Sequence, residues 1–330
     1  MKKILLVALA AAAMVGCSQN EEIDNAEQKT QVKFGTVVRN STRAVVTDLD
    51  ALKAENAGFI VYGYNTKANG VGTTDAKLTD IFLDKKAVTY STDKWVIGDG
   101  TPIYWPGADK VQFFAYAPAN ALTTNEYSVP ADALYPQIAY AVPVAAANQK
   151  DLVVASATDK SSSANAVDLL FAHALTQINF TIKGADNLTY IVSKVSLVGI
   201  GSEAIYDYKT GWSVPTVPVE YELPIAETTV NGTAETILTA STGSLMLLPQ
   251  SMSTDTKIKI SYVAKNGGTT VYTKNDATID LNNTAKWEAG KRIRYTLTLS
   301  SEVALSFNPD VTDWNKDTET NVPKPDAPQS

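Results

Sequence analysis

The sequence predicts an all-β protein folded as two β-sandwiches. Apolar residues recur at every second position in short runs, and turn chemistry such as Gly98-Asp99-Gly100 and Trp105-Pro106-Gly107 separates the runs. A chain of 330 residues, 45% of them hydrophobic, also has enough apolar mass for two cores. Many short strands joined by turns specify sheet packed on sheet.

The first strand lies in Gln31 to Ala44, QVKFGTVVRNSTRA. Val32, Phe34, Thr36 and Val38 alternate onto one face, and Asn40, Ser41 and Thr42 break the pattern before Arg43. A protease cutting after Arg43 would sever this strand from its sheet and leave a groove for another chain to fill. Upstream, Lys2 and Lys3 precede an apolar run from Ile4 to Val15 that is too short to span a bilayer, so residues 1–16 read as a secretory signal. The run ends in Met14-Val15-Gly16-Cys17, which resembles a bacterial lipobox with Cys17 as the acylated residue. Cys17 is the only cysteine, which excludes an internal disulfide. Residues 17–43 then form an acylated N-terminus with a removable first strand. Glu21, Glu22 and Asp24 follow Cys17 in a pattern that resembles outer-membrane sorting and surface exposure. Several acyl chains anchor firmly where one would not.

Downstream, Thr47 to Glu55 carries the cap and spacing of a short helix. Strands are expected at Phe59–Tyr64, Ala87–Val96, Ile103–Trp105, Val111–Tyr116 and Leu152–Ala155, within a first sandwich spanning 44–163. Ser156 to Val167 loses its apolar content and marks a boundary or long connection. In the second sandwich, 164–315, Ala174, Ile178, Phe180 and Ile182 share one face of a strand, and Val195, Leu197 and Gly199 share a face of the next. Further strands are expected at Ala204–Trp212, Ser244–Leu248, Lys257–Val263 and Tyr272–Ile279. In Arg292 to Leu299, Ile293, Tyr295, Leu297 and Leu299 point one way while the arginines and threonines point the other. Val303, Leu305 and Phe307 alternate before Pro309, followed by Val311 and Trp314. Residues 316–330 hold three prolines and almost no apolar residue, the composition of a disordered tail.

The chemical inventory excludes several functions. A formal charge of -7 and a pI near 4.9 lack the basic surface that nucleic acid demands. His173 is the only histidine, so no zinc cluster, Cys/His pair or Ser/His/Asp triad can be assembled, and its apolar neighbours Phe171 and Leu175 indicate a structural role. Asp48/Asp50 and Asp310/Asp313 show no spacing that distinguishes a glycosidase pair from loop acids. Asp310, Asp313 and Asp317 lack the glycine and ligand density of a calcium loop. No cofactor and no enzymatic activity are expected. Trp95, Tyr104 and Trp105 lie close together, and exposed aromatics can stack on sugars. They carry the alternative reading, a monomeric surface lipoprotein that binds a glycan or host ligand.

A set of ordered motifs covers nearly the whole chain. It comprises Met14 to Cys17, Thr42-Arg43-Ala44, Tyr104-Trp105-Pro106, Phe113 to Pro118, Asp151 to Ala155, Phe171 to Ile178, Leu247-Leu248-Pro249-Gln250, and Trp287 to Lys291 with Tyr295. In these the chain resembles the fimbrillins of Bacteroides-type bacteria, the Mfa-like group of lipoprotein pilins. The resemblance implies two tandem transthyretin-like Greek-key sandwiches, delivery to the outer membrane, an Arg-specific protease, and neighbouring fimbrial subunits as partners. The matching bond is Arg43-Ala44, with Arg39 as second choice. It further implies donor-strand exchange and a role in adhesion. The segment 302–314, with Val303, Leu305, Phe307, Val311 and Trp314, fits a donor by position and fits equally well as the closing strand of its own sheet. Pro309 and the polar tail leave stalk, tip and anchor roles open. A strand presenting four inward side chains plus its ladder hydrogen bonds contributes roughly 8 to 15 kcal/mol at most. That rivals the stability of a whole domain, about 5 to 15 kcal/mol.

Overall fold

Residues with β-branched and aromatic side chains at a two-residue period form strands, and the described residues hold twenty. The computed structural model describes residues 29–38, 53, 58–123, 125–238, 243–281, 286–300 and 307–313. It opens with β1 (Phe34–Val38), followed by β2 (Phe59–Asn65), β3 (Ile81–Ser91), β4 (Lys94–Ile97) and β5 (Val111–Ala117). Then come β6 (Tyr127–Ser128), β7 (Gln137–Ala141), β8 (Val153–Lys160), β9 (Val167–His173) and β10 (Thr176–Gly184). The long β11 (Thr189–Asp207) precedes β12 (Gly211–Trp212), β13 (Thr216–Glu222), β14 (Thr228–Asn231), β15 (Thr236–Ile237) and β16 (Leu245–Leu247). The chain closes with β17 (Lys257–Asn266), β18 (Thr269–Asp280), β19 (Lys291–Leu299) and β20 (Phe307–Asp313).

The strands make three sheets. The first has the order β1-β9-β8-β5-β2-β3-β4, the second β15-β10-β19-β20 with β16 also on β10, and the third β18-β17-β11-β7-β6 with β12, β13 and β14 also on β11. Sheet membership does not follow a cut at residue 163. Strand β9, after that point, pairs with β8 and β1, while β7, before it, pairs with β11. Of the polar stretch Ser156–Val167, residues 156–160 continue β8 beside β5 and residues 161–166 connect it to β9. A strand whose outward positions are Ser, Thr and Asp reads as a loop when judged by apolar content alone.

Strands β2 and β5 are buried at every position because both faces of the first sheet are covered. One face sends Phe59, Val61, Phe113 and Ala115 into a core with Val32, Phe34, Leu169 and Phe171. The other sends Ile60, Tyr62, Phe114 and Tyr116 into a larger core shared with Ile178, Phe180, Ile260 and Tyr295. Tyr62 stacks on Tyr127 at 3.7 Å between ring centres, and Tyr208 donates from its hydroxyl to the Ala115 carbonyl at 2.8 Å. The two halves of the chain therefore share one apolar cluster.

Three strand expectations are revised. Ala87–Val96 is the join of a hairpin, since Thr92 and Asp93 both take positive φ (51° and 59°) and turn β3 into β4. Ile103–Trp105 contributes a single bridge, Tyr104 to Gln31. Ala204–Trp212 folds back, with Trp212 facing Tyr206. Gly199 sits at a bulge of β11 with φ of 74°, where a Cβ would meet the Asp255 carbonyl oxygen at 2.7 Å. The helix expected at Thr47–Glu55 lies outside the described residues except for Lys53. Among the described residues no helix is long and apolar enough to cross a membrane.

Candidate assembly groove

The first strand is built into the protein from both sides of its backbone, but unevenly. At its entry, the Val32 amide donates to the Ile103 carbonyl at 2.7 Å, and the Trp105 amide donates to the Thr30 carbonyl at 3.0 Å. From Phe34 onward its hydrogen-bonded partner is β9, in a parallel register of five pairs from Phe34↔Val167 to Val38↔Phe171. It is the edge strand of its sheet.

Alternation then decides what each residue does. Val32 and Phe34 are buried at 1% and 5% exposure. The Phe34 ring meets Phe113 edge-on at 5.3 Å and Phe59 at 6.2 Å, on β5 and β2. Those strands are not hydrogen-bonded neighbours of β1, so the sheet curls until its first strand lies over its own concave face. Thr36 follows on the same face, with its hydroxyl oxygen buried and without a hydrogen-bond partner. Gly35 points the other way, where a Cβ would come within 2.6 Å of the Asp168 carboxylate. Gln31–Phe34, Trp95, Ile97 and Ile103 line a cleft of about 390 Å³.

The other end of the chain is also an edge. Strand β20 pairs antiparallel with β19 over seven positions, from Leu297↔Phe307 to Lys291↔Asp313. The last of these pairs is also an ion pair, and the hydrogen bond that Lys291 donates to the Asp313 carboxylate holds its ammonium pKa above the usual range. Val311 is 44% exposed. Residues 307–313 thus close the second sheet of their own chain.

Several motif residues turn out to be staples of the cores. Buried His173, at the end of β9, meets the Asp151 carboxylate through Nδ1 at 2.8 Å, in keeping with a structural histidine. Gln250 replaces a missing ladder partner at the β11 bulge, accepting from the Gly201 amide at 2.9 Å and donating to its carbonyl at 3.2 Å. Trp287, fully buried, donates from Nε1 to the Tyr295 hydroxyl at 2.9 Å. Arg292 donates to the Gln177 side chain across parallel strands β19 and β10. None of these contacts converges on an open pocket. Among the described residues no group of three or more His, Cys, Asp or Glu could hold a metal ion.

The three-ring sugar platform is not assembled. Trp105 is 5% exposed and packs on Phe113, and Trp95 is half-buried between Phe59 and Tyr90. Only Tyr104 is exposed, at 45%. Aromatics in strand-like positions went to the core, where the first sheet needed volume. Cys17, Arg39, Arg43, Ala44, Val303, Leu305 and Trp314 lie outside the described residues, as do the side chains of Val38 and Phe307. Strand β9 was the partner that sequence reasoning missed. Its alternation of Val167, Leu169 and Phe171 was visible, but nothing local says that it returns to the first sheet.

Comparisons with known proteins agree with this architecture. The fimbrillin-like family profile matches residues 42–314. A curated relative, the fimbrium subunit Fim1C of Phocaeicola vulgatus, is 29% identical over 227 residues, which is 62% of this chain and 58% of that protein. The chain therefore matches less than two thirds of that relative's length. A fimbrial protein of Bacteroides vulgatus shares the fold with a TM-score of 0.69 at 19% identity, over 86% of this chain and 99% of that one. A candidate cell adhesion protein of Parabacteroides distasonis gives a TM-score of 0.52 at 13% identity, over 87% and 97% of the two chains. With the profile matched across most of its length, the chain belongs to the fimbrillin-like family.

Proposed function

We propose that this chain is a structural subunit of a cell-surface fimbrium, serving adhesion, and that subunits join by strand exchange. In this reading the precursor reaches the outer membrane acylated at Cys17. An Arg-specific protease cuts between Arg43 and Ala44, with Arg39 as a second site, and the segment carrying β1 leaves. A strand from the next subunit takes its place by β-augmentation, with backbone bonds supplying affinity and alternate side chains fixing register.

The observation that carries this reading is the placement of β1. It is an edge strand, yet Val32 and Phe34 plug a core whose walls are Phe59, Phe113 and Phe171. Its removal exposes an apolar groove that water cannot satisfy, so a subunit lacking it is driven toward a replacement. The C-terminal segment 302–314 supplies the donor, since it combines alternating apolar residues with an edge position in β20. It must leave β19 to do so.

Mass spectrometry of surface-sheared material tests the reading. Mature subunits should begin at Ala44 and run as ladders in unheated detergent gels, because exchanged strands are kinetically trapped. Material that carries only acylated Cys17 at its N-terminus would overturn it.

A further inference from the structure

Two buried polar atoms without a partner lie where the first strand seats. Thr36 presents a buried hydroxyl that no group accepts from or donates to. Trp105 buries its Nε1 without a partner, and its ring shares Phe113 with Phe34, at 5.8 and 5.3 Å. Several other threonine hydroxyls among the described residues are paired. Thr176 donates to the Glu288 carbonyl at 2.8 Å, Thr66 donates to the Asn69 carbonyl at 2.9 Å, and Thr256 bonds Ser253 at 3.0 Å. A buried hydroxyl left unpaired costs far more than a methyl group of the same shape would. Two further features of β1 point the same way. Its ladder to β9 is parallel, the slightly weaker arrangement, and a cleft adjoins the segment Gln31–Phe34.

We infer that β1 is an under-fitted occupant of its own groove, and that Thr36 is the residue that keeps it replaceable. A strand from a second copy that places a branched aliphatic side chain at this position, beside Leu169 in the β9 register, fits better and displaces it. The inference rests on the strand-exchange reading above. Valine has the shape of threonine without the hydroxyl, so an evolved strand selected only for stability would carry it here. Thr36 is then a specificity residue, setting the difference between the temporary strand and the permanent one.

The test uses the full-length precursor and its Thr36→Val and Thr36→Ser variants. Thr36→Val should raise the thermal midpoint of the uncleaved precursor by about 2 to 4 °C, whereas Thr36→Ser, which keeps the hydroxyl, should not. After cutting at Arg43, release of the N-terminal fragment from Thr36→Val should slow at least about fivefold, with ladder formation slowed in step. A Thr36→Val midpoint equal to or below wild type, or fragment release as fast as wild type, overturns the inference. If cut wild-type protein forms no ladders at all, the strand-exchange reading fails instead, and the midpoint and release measurements still decide whether Thr36 weakens the seat of β1.

Discussion

The first and last described strands are both sheet edges, and they are held by different forces. Strand β1 has a short parallel ladder and relies on two side chains, Val32 and Phe34, driven into a core. Strand β20 has a longer antiparallel ladder, an ion pair at its end, and an exposed Val311. Side-chain plugging can be lost in a single step once the backbone is cut, because a short strand without its chain has few ladder bonds to delay it. A ladder unzips pair by pair. Under the proposed strand exchange, the contrast suits β1 to the part of a temporary closure.

Changes at the two edges should therefore differ sharply in size. The largest effect is expected from the double variant Arg39→Ala/Arg43→Ala, which should leave the precursor folded and eliminate both the Ala44 terminus and the ladders, read by mass spectrometry and gel. Next, Phe34→Ala opens a void against Phe59 and Phe113 and should destabilise the precursor by about 3 to 5 kcal/mol in denaturant titration. A loss below about 1 kcal/mol would erase the asymmetry between the edges. Asp313→Asn removes the partner of Lys291 and should cost at most about 1 kcal/mol, since both groups are a third or more exposed. The same pair has a pH signature. Because the folded Lys291 pKa is raised, its contribution is complete below the unfolded lysine pKa, about 10.4, and should fade as pH rises through the folded value. Asp313→Asn should flatten that alkaline loss. The smallest change is Val311→Ala, expected within about 0.5 kcal/mol of wild type because the side chain is already half in water.

Much of this was legible residue by residue. The alternation of Ile293, Tyr295, Leu297 and Leu299 places each of them at full burial in β19, with the intervening positions partly exposed. The inward face of Val32 and Phe34 was equally plain. Other elements were hidden for definite reasons. Thr92-Asp93 lacks the Asn-Gly or Asp-Gly signal of a two-residue hairpin, so β3 and β4 read as one strand. The second half of β8 spends its outward positions on Ser, Thr and Asp, so Ser156–Lys160 read as part of the connection that follows it. Trp105 looked like a sugar platform because composition alone cannot tell a buried aromatic from an exposed one.

The sequence by itself determined that the chain is β-rich, which face of most strands is apolar, and that one histidine and one cysteine are too few for a His/Cys zinc cluster, because these follow from local periodicity and residue inventory. Only the tertiary structure decided which sheet each strand joins. Local alternation fixes a face but leaves the neighbour open, and neighbours are chosen by volume and register across long stretches of chain. That choice brought β9 back beside β1, joined β7 to β11, and left Thr36 with a buried hydroxyl and no partner.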